Sequence, residues 1–449
     1  MCAIVGIFGN TDASKLASAA LFAMQHRGHE ACGISSGGSN SKKIVTVKNR
    51  GFVRDVFDEN AFKVLQGDMA IGHNRYSTAG SDSIFDAQPI HAKYKLGEIS
   101  IVHNGNLINK MDVRQRLIDE GSIFQTGMDT ENLIHLIAKS SKDKLRDRIT
   151  KSLTKLKGAY NFIIQSRSKL FVVRDPHGIR PLSIGRLRSG GWIIASETCC
   201  FDLVDATFER DVKPGEMLIF SKEFDEPESI ILDDTKEFRP CAFEYIYFAR
   251  PDSDIDGQNV YTTRVNMGAV LAQQDKNLEA DMVIPVPDSG VPAALGYARE
   301  SGIPFELGII RNHYVGRTFI EPTQAMRDMK VKMKLSPMRS LIKGKRLVVI
   351  DDSIVRGTTS KRIVKILKDA GAAEVHFRVA SPEIKFPCYY GIDTPTKEEL
   401  ISSNKSKDEV CEYIEADSLE YLSIEGLKEA IGTDKNYSLV SFDGDYFIQ

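Results

Sequence analysis

The sequence predicts an α+β antiparallel layer structure followed by an α/β domain built on a doubly wound parallel sheet. Three observations predict it. At 449 residues the chain exceeds the size at which a single hydrophobic core keeps growing. The first half consists of short strand-like runs broken by turn residues: AIVGIFG, KIVTVKN, MAIGHNRYS, EISIVHNGN, AYNFIIQS, KLFVVRD and GWIIASE. Two helical patterns interrupt them, KLASAALFAMQHRG, which ends on a glycine, and DTENLIHLIAK, where Leu133, Ile134, Leu136 and Ile137 form an apolar stripe behind Asp129. The style changes near PESIILDDTKEFRPC. Beyond it strands and helices alternate: DMVIPVP, a helix through PAALGYARESG, FELGII, a long charged segment, RLVVIDDS, a helix SKRIVKILKDAG, and EVHFRVAS. The division is expected between residues 2–235 and 236–449. From about Lys397 the tail reads as short acidic helices with an irregular end.

Composition excludes several classes of function. A formal net charge of −2 supplies no basic field for a phosphate polymer, so no nucleic-acid partner is expected. The first apolar run, Cys2–Phe8, has no basic segment before it and is too short for a signal core. No later run reaches the length of a membrane span, so the expected location is the cytoplasm, with no membrane partner. Seven scattered cysteines do not form a disulfide framework, and there is neither a C-x-x-C nor an H-E-x-x-H.

The stretch RLVVIDDSIVRGTTSKRIVKIL is the richest in chemistry. A buried strand ends in Asp351 and Asp352, a loop rich in small residues follows, and a helix begins near Thr359 or Ser360. Ligands bind at that end of strands in open α/β sheets. The N–H groups of Gly357, Thr358 and Thr359 can ring a phosphate at the positive end of the helix. The two carboxylates can hold ribose hydroxyls or Mg²⁺. An isolated Asp-Asp before a helix more often marks a solvated strand end with a hydroxyl cap. The whole pattern outweighs that reading, because VVIDDSIVRGTTS resembles the phosphoribosylpyrophosphate (PRPP) signature of type I phosphoribosyltransferases. The basic stretch RNHYVGRTFIEPTQAMRDMKVKMKLSP reads either as a solvated loop or as a lid over an anion. As a lid, Arg311, Arg317, Arg327, Lys332 and Lys334 would neutralise departing pyrophosphate. Asp288 and Ser289 end another strand and form a candidate second wall.

In the first half Cys2 is either the first apolar residue of an edge strand or, once Met1 is removed, a nucleophile carrying its own base in its α-amine. Asn104-Gly105 most often would be a hairpin turn; it is also a two-donor oxyanion hole. Arg75 suits a carboxylate and Asp129 an ammonium, although Asp129 also suits a helix cap. Together these groups describe a site that cleaves the side-chain amide of an α-amino acid.

The motifs MCAIVGIFG, HRGHEACGI, GHNRYSTAG, HNGNL and GMDTEN resemble the class II glutaminase domain. With CAFEYIYFARPDS, NVYTTRVNMG and the PRPP signature, nearly the whole chain is similar to the glutamine PRPP amidotransferase family. The resemblance implies an N-terminal nucleophile fold of α/β/β/α layers for residues 2–235. It implies Cys2 as nucleophile, Asn104 and Gly105 as oxyanion donors, and Arg75 and Asp129 as the glutamine clamp. Ammonia would pass through a channel formed when the YVGRTFI loop closes. PRPP would lie against Asp351, Asp352, Ser353, Arg356, Gly357, Thr358, Thr359 and Ser360, with Arg311, Tyr314, Arg317, Lys332 and Lys334 from the lid, and Mg²⁺ at Ser289, Asp351 and Asp352. Homotetramers inhibited by purine nucleotides are also implied, as is phosphoribosylamine synthesis at the head of purine biosynthesis. Other class II amidotransferases, making glucosamine 6-phosphate or asparagine, do not need the PRPP signature. A nucleic-acid-binding regulator with a PRPP fold would need a basic face.

Three departures accompany the resemblance. Ala3 replaces the family's usual glycine beside the nucleophile and is expected to crowd it. Some members hold a [4Fe–4S] cluster on four cysteines; Cys241 and Cys388 match two of those positions, but Ser438 and Ser441 stand at the others, so no cluster is expected. Cluster-bearing members also usually have a propeptide before the cysteine, where here Met1 stands.

Overall fold

Side-chain alternation along the Ala3–Phe8 strand sets the layering of the first half. In the computed structural model, which describes residues 1–38, 41, 43–76, 83–276, 278–312 and 335–448, Ala3, Val5 and Ile7 pack beneath the helix Ala13–Ala23, while Ile4 and Phe8 face a second sheet. The sheet carrying this strand runs, among the described residues, in the order Ala206–Asp211, Ser183–Leu187, Trp192–Ala195, Ala3–Phe8, Met69–Arg75, Ala31–Gly37, Val45–Arg50. The facing sheet runs Glu228–Ile231, Glu216–Ser221, Lys169–Arg174, Gly158–Gln165, Gly97–Leu107, Ile90–Tyr94. Both are antiparallel. Their inner faces share a core of Ile4, Ile71, Val102, Ile163, Val172 and Leu218. The helices Lys110–Asp119, Thr130–Lys139 and Leu145–Leu153 cover the outer face of the second sheet, which completes α/β/β/α layers. The Ala3–Phe8 strand is interior, so Cys2 does not open an edge strand.

In the second half Met282–Pro285, Arg346–Asp351, Glu374–Val379 and Ser418–Tyr421 pair in that order, all parallel. A bridge from Val283 to Phe305 adds the FELGII segment on the far side of Met282–Pro285. The chain order therefore reverses between Met282–Pro285 and Arg346–Asp351, and the carboxyl ends of those two strands carry Asp288-Ser289 and Asp351-Asp352. Helices Val260–Gln274 and Val291–Ser301 cover one face; Thr358–Asp369 and Lys407–Ile414 cover the other.

The helices Lys110–Asp119, Leu145–Leu153 and Val260–Gln274 go beyond the helical patterns expected from sequence, and two further elements also differ. Ser418–Tyr421 lies in the tail read as helices plus an irregular end; it is too short for a periodic signal, and it is held by burial of Leu419 and by the Asp417 carboxylate accepting the Val375 N–H at 2.7 Å. The helix after the Asp pair begins at Thr358, one residue early, because Gly357 adopts φ +71° and ends the loop there. The flanks of the basic segment, Ile309–Arg311 and Leu335–Pro337, pair as an antiparallel ribbon. Tyr314, Arg317, Arg327, Lys332 and Lys334 lie outside the described residues.

Candidate active sites

The nucleophile end of the first site is built by the Met69–Arg75 strand pairing with Ala3–Phe8, Asn74 opposite Ala3. The chain leaves that pairing at Tyr76, whose carbonyl accepts the Cys2 thiol at 3.6 Å. Cys2 is buried, and burial pushes its thiol up despite the chain's ammonium beside it and the nearby Arg75 and Arg27. Met1 is 1% exposed; burial lowers its amine to about 6. Ala3 packs in the helix-side core with Val5 and Ile7.

His73 Nε2 lies 3.2 Å from the His103 carbonyl, tying the two sheets together just before Arg75 and Asn104. Asn104-Gly105 is not a hairpin turn: both residues lie within the Gly97–Leu107 strand, paired with Asn161 and Tyr160. Asn104 is 1% exposed, and its Nδ2 has no hydrogen-bond partner among the described residues. A buried amide donor left open costs roughly 1–3 kcal/mol, so Asn104 Nδ2 is available to an incoming acceptor oxygen. Gly105 is obligatory by geometry, since its φ is +150° and a Cβ there would stand 2.1 Å from the Ala159 carbonyl oxygen. Arg75 is buried at the end of its strand. Asp129 precedes the Thr130–Lys139 helix but does not cap it through its side chain. Its carboxylate instead accepts the Leu107 N–H at 2.9 Å and lies 3.3 Å from His103 Nδ1. Burial pushes this carboxyl up, yet His103 and the Leu107 N–H outweigh it and hold the group below the usual carboxylate range. Asp129 is thus an ionised, enclosed anion, suited to an ammonium.

In the second site Asp351 and Asp352 are both buried. Burial and the adjacent Asp352 push the Asp351 carboxyl well above its ordinary range. Asp352 N–H donates to Asp351 Oδ1 at 3.0 Å, and the Ser353 hydroxyl donates to Asp352 Oδ2 at 2.6 Å. Two enclosed carboxylates in sequence fit a hard cation, in the manner of Mg²⁺ sites that combine one or two carboxylates with substrate phosphates. Among the described residues no three His, Cys, Asp or Glu side chains converge on one point. Thr358 and Thr359 are exposed at the helix start while Ser360 is buried. Gly290 brings the Asp288-Ser289 turn against the neighbouring strand, where a Cβ would stand 2.3 Å from the Ile350 carbonyl oxygen. Ser289 is half-buried, and Asp288 is paired with Arg311. The Arg356 guanidinium lies 3.3 Å from the Glu399 carboxylate.

The model for a glutamine amidotransferase domain matches residues 73–202, and that for a phosphoribosyl transferase domain matches residues 266–384. Amidophosphoribosyltransferase 1, chloroplastic, of Arabidopsis thaliana is 50% identical over 446 residues, covering 99% of this chain and 78% of its own. The amidophosphoribosyltransferase of Bacillus subtilis is 47% identical over 451 residues, covering 99% and 94%. The chain belongs to the amidophosphoribosyltransferase family. A solved B. subtilis glutamine PRPP amidotransferase, complexed with ADP and GMP, superimposes with TM-score 0.94 at 46% identity over 100% of this chain and 98% of that one. The chain is accordingly an enzyme with a glutaminase half and a phosphoribosyltransferase half.

The four positions that carry an iron–sulfur cluster in some members also gather. Cys241 bridges to Ser438, and its thiol is pushed up to about 11 by burial, Arg180 opposing and Cys388 adding. Ser441 Oγ is buried without a partner among the described residues, while its carbonyl accepts the Lys385 and Phe386 N–H groups. Two thiols and two serine hydroxyls do not fit a cluster that needs four thiolates.

Beneath Cys2 lies a group of buried charges that no sequence motif marks as a group. Arg27, fully enclosed, donates from Nε to the Cys2 carbonyl at 3.0 Å and pairs with Glu197 at 2.6 Å. It also grips both oxygens of Glu244 at 2.9 Å. Arg180 joins the same Glu244 at 3.3 Å. The one local signal was an arginine in HRGHEACGI; its partners lie about 170 and 217 residues away.

Proposed function

We propose that this chain converts PRPP, glutamine and water into 5-phosphoribosylamine, glutamate and pyrophosphate at the start of purine synthesis. The observation that carries this reading is the open, buried Asn104 Nδ2 beside Gly105, on a strand tied to the one that ends next to Cys2.

Removal of Met1 would free the Cys2 α-amine and clear the space its buried side chain fills at the junction of the two halves. The amine takes the thiol proton, and the thiolate attacks the side-chain carboxamide carbon of glutamine. Asn104 Nδ2 and the Gly105 N–H hold the oxyanion. The amine returns the proton to the departing nitrogen, ammonia leaves, and water then releases glutamate from the thioester. Arg75 holds the glutamine carboxylate and Asp129 its ammonium. In the second half the loop from Ser353 through Arg356 and Gly357 to Thr358, Thr359 and Ser360 cradles the 5-phosphate, and Asp351 and Asp352 orient the ribose. Ammonia displaces pyrophosphate at C1. Mg²⁺, when bound by Asp351, Asp352 and Ser289, supplies charge neutralisation for the pyrophosphate. Arg311, together with Tyr314, Arg317, Lys332 and Lys334 outside the described residues, would contact PRPP and neutralise the departing pyrophosphate.

The same reading divides the chain at 235/236, assigns it to the cytoplasm as a homotetramer inhibited by purine nucleotides, and gives it no iron–sulfur cluster. Among the described residues no helix is long and apolar enough to cross a membrane.

The test is Cys2→Ala. Glutamine-dependent phosphoribosylamine synthesis should vanish while synthesis from ammonia persists; equal survival of both would sink the nucleophile assignment. Intact mass would report Met1 removal. Stoichiometric iron and sulfide in anaerobically purified protein would overturn the cluster-free reading.

A further inference from the structure

We propose that three consecutive residues of the second half, Tyr389, Tyr390 and Gly391, form a positioning wedge that sets the geometry of the glutamine site in the first half. The proposal rests on the assignment of Cys2, Asn104 and Gly105 above.

Each residue of the wedge reaches a different part of that site. Gly391, at φ +99°, lies so close to the oxyanion strand that a Cβ on it would stand 3.0 Å from both Cα and C of Gly105 and 3.4 Å from the Asn106 nitrogen. The Tyr389 carbonyl accepts the Asn106 side-chain amide at 2.7 Å. The Tyr390 carbonyl accepts two bonds from the enclosed Arg180, at 3.0 and 2.6 Å. From Arg180 the contacts run through Glu244 to Arg27 and so to the Cys2 carbonyl. One short segment therefore braces the oxyanion strand directly and the nucleophile through a buried chain of charges.

The wedge is itself held. Cys388 Sγ accepts the Tyr390 N–H at 3.3 Å, the Thr394 hydroxyl accepts the Cys388 N–H at 2.6 Å, and the Tyr390 hydroxyl accepts the Ile448 N–H at 3.0 Å. None of the three residues supplies a donor to the oxyanion. Their effect is on alignment, and displacing an oxyanion donor by a fraction of an ångström is costly because the donors act on where charge develops.

The experiment compares Gly391→Ala with the parent enzyme at full length. The added methyl would meet Gly105 at 3.0 Å, and alanine is itself strained at φ +99°, so the contact with the oxyanion strand must shift by a few tenths of an ångström. Glutamine-dependent kcat should fall by about tenfold or more, while the glutamine KM stays within about twofold because the clamp residues are untouched. Ammonia-dependent synthesis should stay within about twofold, showing that the second half is folded, and iodoacetamide should alkylate Cys2 at an unchanged rate because that reaction needs no oxyanion hole. A second variant, Asn106→Asp, removes the donor to Tyr389 but keeps the acceptor for Lys110, and should show the same split. Unchanged glutamine-dependent kcat in Gly391→Ala overturns the proposal; so does loss of both nitrogen sources together in both variants. Failure of the underlying assignment reads out separately, as glutamine-dependent synthesis surviving in Cys2→Ala.

Discussion

Replacing Glu244 by alanine is the sharpest perturbation of the charges below Cys2. Its carboxylate is 1% exposed and accepts two bonds from Arg27, at 2.9 Å each, and one from Arg180 at 3.3 Å. Without it Arg27 keeps Glu197 at 2.6 Å, while among the described residues Arg180 keeps only its bonds to the Tyr390 carbonyl. Breaking a buried pair from one side typically costs about 3–5 kcal/mol, because the remaining charge stays enclosed. Two guanidiniums are affected and one retains a carboxylate, which places Glu244→Ala at about 3–5 kcal/mol by that rule. Glu244→Gln keeps an acceptor oxygen and should cost about 1–3 kcal/mol, the size of one or two charged hydrogen bonds. Urea unfolding of the parent and both variants measures the loss. The ratio of glutamine- to ammonia-dependent synthesis tells whether the Arg27 bond to the Cys2 carbonyl has moved. Stability of Glu244→Ala within about 0.5 kcal/mol of the parent, the range of a neutral surface change, would refute the reasoning.

Asn104→Ala should lower glutamine-dependent kcat by about 10²–10³, the usual worth of one oxyanion donor, and leave the ammonia rate alone; steady-state kinetics with each nitrogen source checks it. Asp351→Asn should impair both nitrogen sources equally, since both use the same PRPP; an intact ammonia rate would remove Asp351 from that site. The Cys32 thiol is pushed up to about 12, by burial first and then by Asp55. Unfolded, it titrates near 8.5. Between those values the unfolded chain has released a proton that the folded chain still binds, so stability falls with rising pH at about 1.4 kcal/mol per unit from this group. Urea titrations from about pH 9 to 11 should therefore show a flatter loss in Cys32→Ala.

Local chemistry is what marked both candidate sites in the sequence. A PRPP loop is contiguous, and its strand, carboxylates, glycine and helix start all fall within one short segment, so its pattern survives translation into structure nearly unaltered. The glutamine site is dispersed, yet each of its parts sits in a compact motif around Arg75, Asn104 and Asp129. What stayed hidden depends on distant partners. Taken alone, Asn104-Gly105 reads as a turn, and only its neighbouring motifs led to its assignment as an oxyanion hole, because dipeptide statistics do not register the Ala159 carbonyl that forces the glycine. Asp129 reads as a helix cap because its ties to Leu107 and His103 come from another strand. Arg27, Glu197, Glu244 and Arg180 carry no mark of burial in sequence, since charged residues are normally exposed and only their mutual pairing permits otherwise. The Ser418–Tyr421 strand was too short to announce itself.

Residues 438–448 fold back onto earlier parts of the second half in a way that bears on the order of folding. Ser438 bridges to Cys241, the Tyr446 hydroxyl donates to the Pro387 carbonyl, and the Ile448 N–H donates to the Tyr390 hydroxyl. These last residues fasten the segment that rests on Gly105. Ribosomes deliver the amino-terminal half first. On the proposed reading, Cys2, Arg75, Asn104 and Asp129 are therefore synthesised before the segment that seats them, so the alignment of the candidate glutamine site depends on the second half having folded.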